Sequence, residues 1–219
     1  MRALFSLLVI GLFLDPIQAG AADNGGRVHP SWQPVMQVLE VCRRVYSSEA
    51  WGKYERDSEF DALQTTADWQ GFFKKKEAAA TVELKLPRSL RAEVQPHCQM
   101  YEHGRSDAVN WLLAAIDKKD ASSIPTWPEG NAKDPLVAVC RQLFSSAVAQ
   151  AIDGSSLISK MTSSDVANLS RGRLATILNE REIPILLLDQ FETYCFDYSY
   201  GAVDALRWSL QKMDVNKSR

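Results

Sequence analysis

Apolar residues recur at three- and four-residue steps along most of the chain, which is the pattern of amphipathic helices. The clearest stripe follows Asp134-Pro135, a pair typical of a helix N-cap and first turn. Similar apolar spacing runs from Ser31 to Ser48, and another helix is expected from Pro184 to about Met213. The pattern therefore predicts an all-α protein.

Two segments complicate this pattern. Residues 82–86 alternate apolar and polar side chains, which is compatible with a brief strand, although residues 179–183 of the second half do not alternate. Pro96 predicts a kink or break just before Cys98, because proline interrupts a helix interior.

The chain repeats itself. Residues 41–48 and 139–146 are identical at five of eight positions. A second block, from Cys98 to Leu113, recurs 97 residues later in the same order. Its matching positions are Cys98, Tyr101, Gly104, Asp107, Ala108, Trp111 and Leu113 with Cys195, Tyr198, Gly201, Asp204, Ala205, Trp208 and Leu210. Two blocks in register indicate a duplication.

The repeat divides the chain into two similar small helical units. We expect the first at residues 31–118 and the second at 134–214, with a linker at 119–133 that is rich in proline and small polar residues. The middle of each copy is the least similar part, and only the first carries Trp69, Phe72 and Phe73 at helical spacing.

Each copy contains two cysteines, 56 and 55 residues apart. This arrangement favours disulfides between Cys42 and Cys98 and between Cys140 and Cys195. Closing a loop of that length stabilises a unit by about 4 kcal/mol in the chain-entropy model. The alternatives, free thiols or a metal site, are less favoured because the chain has no C-x-x-C pair.

The shared residues of the second block predict a scaffold. On a helix, its cysteine, tyrosine, glycine, alanine and tryptophan share one face, which we expect to pack against the first helix of the copy. Glycine in a helix costs about 1 kcal/mol, so its repetition predicts close approach of a neighbouring backbone. The scaffold residues are Tyr101, Gly104, Asp107, Trp111, Tyr198, Gly201, Asp204 and Trp208.

The two aspartates of this block lie at the edge of the shared face. We interpret Asp107 and Asp204 as structural acceptors, paired with a helix terminus or with Arg43 or Arg141, in preference to a catalytic role.

The first 22 residues predict a cleavable signal peptide. Arg2 precedes an apolar run from Ala3 to Leu14, and Ala19-Gly20-Ala21 supplies a small-residue cleavage pattern. The run is too short to span a bilayer, and no later apolar stretch predicts membrane insertion. A buried N-terminal helix is the alternative interpretation. Export agrees with an even number of cysteines.

Composition and motifs disfavour several functions. With 25 basic and 27 acidic residues, the chain has no nucleic-acid footprint. His97 and His103 flank Cys98, but their counterparts are Tyr194 and Tyr200, so we expect no metal or cofactor there. Neither G-x-S-x-G nor H-E-x-x-H occurs, and an enzyme is not expected.

The block C-x-x-Y-x-x-G-x-x-D-A, at residues 98–108 and 195–205, resembles the signature of the Rap/Tai family of type VI secretion immunity proteins. Those are small periplasmic helical proteins that neutralise peptidoglycan amidase toxins. The resemblance implies a periplasmic immunity protein whose partner is a cognate effector toxin. Family members are commonly single units, so a tandem pair would act as an internal dimer.

A second hypothesis is a periplasmic or secreted protein-binding or chaperone module without a toxin partner. Under either hypothesis, partner contacts are expected where the copies differ. One candidate is the linker, with Trp127 as an exposed anchor beside Glu129. The other is the first-copy segment around Trp51, Tyr54, Asp57 and Glu59. A buried tryptophan that closes the core is the alternative in both places.

Overall fold

The computed structural model describes residues 33–117, 127–128, 134–152 and 163–217. Every regular element in these ranges is helical, so the all-α prediction is confirmed. The α-helices are α1 (Gln33–Tyr46), α2 (Ser48–Tyr54), α3 (Ser58–Asp61), α4 (Thr66–Glu83), α5 (Val94–Asp117), α6 (Pro135–Ile152), α7 (Ser163–Glu180) and α8 (Leu188–Lys217). The predicted signal peptide and most of the linker lie outside the described residues.

The two copies follow the same path. Helices α1, α4 and α5 of the first correspond to α6, α7 and α8 of the second, and a short 3-10 turn precedes each last helix, at Arg88–Leu90 and Ile185–Leu187. Between its first two equivalent helices the first copy has α2 and α3, whereas in the second copy α6 continues to Ile152 and residues 153–162 lie outside the described residues. The duplication is therefore visible in the middle of each copy as well, where sequence similarity is weakest.

A repeated C-terminal cap explains this agreement. Lys85 and Glu182, 97 positions apart, both have left-handed backbone conformations, with φ of 54° and 56°. The next residue then donates its backbone N–H back across the cap, from Leu86 to Thr81 and from Ile183 to Leu178, each at 2.9 Å. These are the 6→1 bonds of a Schellman motif. Residues 82–86, whose alternation was compatible with a brief strand, form none: α4 continues to Glu83 and then ends in this cap.

Two of the prolines lie at or just before the start of a helix. Pro96 lies in the first turn of α5, which begins at Val94, so the predicted break just before Cys98 is absent. Its missing N–H is harmless because the first four N–H groups of a helix have no intrahelical acceptor. Pro184 precedes the 3-10 turn, and α8 begins only at Leu188.

Polar side chains define the other boundaries. Asp134 caps α6 by accepting the Leu136 N–H at 2.9 Å, as the sequence predicts. The helix expected from Ser31 to Ser48 is interrupted, because Ser47 accepts the Ala50 N–H at 3.1 Å and starts α2 in a new direction.

Both predicted disulfides are present. Cys42 is bonded to Cys98 and Cys140 to Cys195, with Cα–Cα distances of 4.8 and 4.7 Å. Each bridge joins the first helix of a copy to its last helix, and no described cysteine is free. Disulfides of this kind belong to oxidising compartments. No described helix is both long and apolar enough to cross a bilayer.

The hydrophobic core is shared between the copies. Buried Met100, Trp111 and Leu112 of α5 pack in a cluster made mostly by the second copy. Conversely, Phe196 of α8 belongs to the cluster of the first copy. Helices α5 and α8 therefore cross so that each contributes apolar side chains to the other copy's core.

Candidate functional site

The crossing of α5 and α8 is centred on the two motif glycines. A Cβ added at Gly104 would meet the Tyr198 carbonyl oxygen, and one added at Gly201 would meet that of Tyr101. Both contacts would fall well inside the 3.0 Å that real Cβ atoms keep from other atoms. The predicted close approach is thus confirmed, but the neighbour is the equivalent helix of the other copy. The expected contact of this face with the first helix of its copy is also present, through the disulfide.

A buried polar network spans the crossing beside Gly104. Asp107 of α5 accepts the Tyr198 hydroxyl at 2.6 Å and two nitrogens of Arg141, at 2.7 and 2.8 Å. The indole N–H of Trp127 donates to the Tyr198 hydroxyl at 3.0 Å. The predicted aspartate–arginine pair therefore exists, between copies. Because both Asp107 oxygens are bonded, this carboxylate is a structural acceptor.

The corresponding network on the other side is less complete. The buried Tyr101 hydroxyl forms no hydrogen bond of normal geometry. Burial, together with the nearby Asp204 carboxylate, raises the pKa of Tyr101. Arg43, the counterpart of Arg141, instead bonds Glu40 on its own helix at 3.0 and 3.2 Å. Burial raises the pKa of Asp204.

The two tryptophans of the motif have different surroundings. Trp111 is buried in the shared core. Trp208 is half-buried, with Lys212 over its ring at 5.5 Å and Gly52 of α2 nearby. All eight predicted scaffold residues therefore lie in or beside the contact between the copies.

One buried pair has no counterpart in the duplicated pattern. His97 Nδ1 and Asp197 Oδ2 are 2.5 Å apart, and the residues come from different copies. Burial raises the pKa of Asp197 to about 6, although its hydrogen bond to His97 acts in the opposite direction. The His97 ring lies 5.0 Å from that of Tyr194, in agreement with an aromatic position beside the disulfide.

Sequence reasoning missed this pair because Met100, not a polar residue, stands at the position equivalent to Asp197. Only the crossing brings His97 and Asp197 together. Among the described residues, no group of histidine, cysteine, aspartate and glutamate side chains is arranged to hold a metal ion.

Trp127 is not the exposed anchor that the sequence suggested. It is 3% exposed and packs between Trp111, at 5.9 Å, and Phe144, at 4.6 Å between ring centroids. It closes the core, which was the alternative interpretation, so an exposed partner anchor at this position was the wrong prediction. Glu129 lies outside the described residues.

The first-copy candidates Trp51 and Tyr54 belong to an aromatic cluster formed by α2, α3, α4 and the last residue of α1. Its members are Tyr46, Trp51, Tyr54, Phe60, Trp69, Phe72 and Phe73. Tyr54 is buried and Trp51 is half-buried. The Arg105 guanidinium lies over the Trp51 ring, 4.3 Å from its centroid. The hydrophobic contacts of these residues attach α2 and α3 to α4.

Asp57 and Glu59 lie at the rim of this cluster. Asp57 caps α3 by accepting the Glu59 N–H at 3.0 Å, and it is 3.6 Å from Lys76. Glu59 pairs with Lys75 at 2.8 Å. The four candidate residues of this segment therefore lie close together, and the two carboxylates among them form ion pairs with lysines of α4.

A cavity of about 620 Å³ opens beside the same segment, and we call it the α4 groove. Its lining includes Glu59, Leu63, Thr65, Asp68, Gly71 and Phe72. The sequence signals for it were the aromatic spacing of α4 and the difference between copies, but the groove itself depends on how α3 packs.

Comparison of the chain with protein-family models, with curated proteins and with solved structures gives no match. The case for a function therefore comes from the chain's own residues.

Proposed function

We propose that the protein is a periplasmic immunity protein, which binds and neutralises a secreted antibacterial toxin of the cell-wall amidase type. The observation that carries the proposal is the role of the duplicated C-x-x-Y-x-x-G-x-x-D-A block. Its cysteines form the two disulfides, and its glycines form the crossing of α5 and α8. The residues that carry the family resemblance are thus scaffold residues, as expected of a protein that acts by presenting a surface.

The scaffold suits a binding role in an oxidising compartment. A disulfide ties the ends of each copy, and the crossing fixes the copies against each other through buried contacts such as Tyr198 with Asp107. A rigid surface loses less conformational entropy on association than a flexible one, so more of its contact energy contributes to affinity.

The arrangement of ionisable groups also favours binding over catalysis. Asp107 and Arg141 satisfy each other in the network between the copies. The His97–Asp197 pair is buried at the same junction. The accessible polar groups that distinguish the first copy lie instead around the α4 groove.

A competition experiment tests the proposal. A strain that lacks this gene should be outcompeted on contact by its parent, and the protein encoded by the neighbouring reading frame should be the toxin. Expression of the full chain should restore survival, whereas expression without residues 1–22 should not, because the toxin acts in the periplasm.

Two results together would refute this proposal: unaltered survival of the deletion strain, and a pull-down from periplasmic extract that retains no toxin. Retention of envelope proteins without toxicity, again with unaltered survival, would instead support the chaperone alternative.

A further inference from the structure

The α4 groove is formed by residues that the second copy does not share. At a shift of 97 residues, Trp69, Gly71 and Phe72 correspond to Val166, Asn168 and Leu169. The disulfides and the glycine contacts recur in both copies, whereas the residues of this surface occur in the first copy. A function that requires one specific face, rather than the common scaffold, has a candidate here.

The floor of the groove is rigid and apolar. Phe72 is 3% exposed and is held by Tyr54 and Phe60, at 5.2 and 5.6 Å between ring centroids. Leu63 and Ala67 extend the apolar lining on either side. Such a floor is preorganised to receive an apolar side chain, because its own rings are already fixed by neighbours.

Gly71 keeps the groove open. It lies inside α4, where glycine costs about 1 kcal/mol relative to alanine. At Gly104 and Gly201 that cost is offset, because the absence of a side chain lets the two helices cross. A Cβ at Gly71 would meet no atom within 4 Å. No packing contact with a described residue therefore requires a glycine, and the space above it is part of the groove.

The charged residues that line the groove leave one carboxylate without an ion pair. They are Glu59, Asp68 and Lys75, and Lys75 pairs with Glu59 at 2.8 Å. Hydrogen bonds from Thr65 lower the pKa of Asp68 and keep it ionised. Among the described residues, no cation forms an ion pair with Asp68.

We propose that the α4 groove is the docking site for the toxin, and that the toxin contributes an apolar side chain flanked by lysine or arginine. The apolar side chain packs on Phe72 and Leu63, and the cation faces Asp68. This inference rests on the proposed function. An unpaired carboxylate at the edge of an apolar groove both favours a basic partner and repels an acidic one, so it contributes to specificity and to the rate of association.

The first test fills the groove. The probe is the purified protein encoded by the neighbouring reading frame, and the measurement is its Kd for the full-length mature chain. Gly71→Leu should weaken binding by at least roughly tenfold, because the leucine occupies the space of the incoming side chain. Gly172→Leu is the matched control, since Gly172 is exposed on α7 and also has nothing within 4 Å of an added Cβ. It should bind within about twofold of the unmodified chain.

The second test removes the unpaired charge of the groove. Asp68→Asn should weaken binding and flatten its dependence on salt concentration, whereas Glu93→Gln, at an exposed position outside the groove, should change neither. Thermal unfolding of each variant should stay cooperative, which separates lost binding from lost folding.

The outcomes distinguish the two proposals. If the unmodified chain does not bind this protein, the proposed function fails and the docking site with it. If the unmodified chain binds, but Gly71→Leu and Asp68→Asn bind equally well, the function stands and the groove is overturned as the docking site.

Discussion

The Tyr198 hydroxyl, from the second copy, donates a 2.6 Å hydrogen bond to the Asp107 carboxylate, from the first. Each copy of the motif contains one tyrosine and one aspartate, and this hydrogen bond joins the tyrosine of one copy to the aspartate of the other. Each tyrosine approaches the aspartate of the opposite helix, since Tyr101 likewise lies near Asp204. The duplication has produced a pseudo-symmetric pair of units inside one chain.

The crossing predicts that Gly104 does not tolerate a side chain. Gly104→Ala should destabilise the protein by about 3 kcal/mol, because its Cβ would press on a backbone carbonyl that cannot move aside cheaply. Gly71→Ala, in open space on α4, should instead stabilise by up to about 1 kcal/mol through helix propensity. Urea unfolding of both variants measures the difference, and equal effects would contradict the crossing.

The unequal polar networks predict unequal costs for two equivalent arginines. Arg141→Ala leaves the buried Asp107 without its counter-charge and should cost about 3 kcal/mol. Arg43→Ala removes an exposed pair with Glu40 and should cost less than about 1 kcal/mol. Denaturant midpoints of the two variants, measured at the same pH, compare these costs. A larger loss for Arg43→Ala would show that the networks are assigned to the wrong sides.

The first helix of each copy, the disulfides and the scaffold role of the motif were predictable from the sequence. The duplication aligned Cys42 with Cys140 and placed Gly104 and Gly201 at matching helical positions. Which helix approaches each glycine was not predictable, because periodicity identifies a packed face but does not identify the partner that packs on it.

Because a sequence pattern does not identify packing partners, other contacts in the structure were not predictable either. Trp127 stands in a polar segment, and only the three-dimensional fold reveals that it reaches the Tyr198 hydroxyl. His97 and Asp197 are 100 residues apart and meet only through the crossing. The cap at Lys85 was not predictable, because a left-handed residue other than glycine leaves no local signal in the sequence.

These caps predict a stabilising substitution. Lys85→Gly and Glu182→Gly should each stabilise by roughly 1 kcal/mol, because glycine adopts a left-handed backbone without steric cost. Lys74→Gly, inside α4, should cost about the same amount. Thermal unfolding shows directly whether each variant is more or less stable than the unmodified chain. Destabilisation by Lys85→Gly would contradict the assigned cap.

The His97–Asp197 pair predicts a pH dependence of stability. Burial raises the pKa of Asp197 from 3.8 to about 6, so between these values the folded state keeps a proton that the unfolded chain releases. Stability from this group is present at low pH and falls as pH rises from about 4 to about 6, by up to about 3 kcal/mol.

Asp197→Asn should remove this dependence while keeping a polar partner for His97. The free energy of unfolding, measured at several pH values for the variant and the unmodified chain, should therefore differ in slope within that window. Glu93→Gln, at an exposed position, is the control and should leave the slope unchanged. Parallel curves for Asp197→Asn and the unmodified chain would contradict the buried pair.

The central structural claim is that the two copies form one interlocked body through the α5–α8 crossing. Its most direct measurement is co-purification of residues 23–118 and 119–219, expressed as separate exported chains with a tag on one of them. The two chains should be recovered together in equal amounts, and Gly104→Leu should abolish recovery of the untagged chain. Separate chains that each unfold cooperatively and do not associate would contradict the claim.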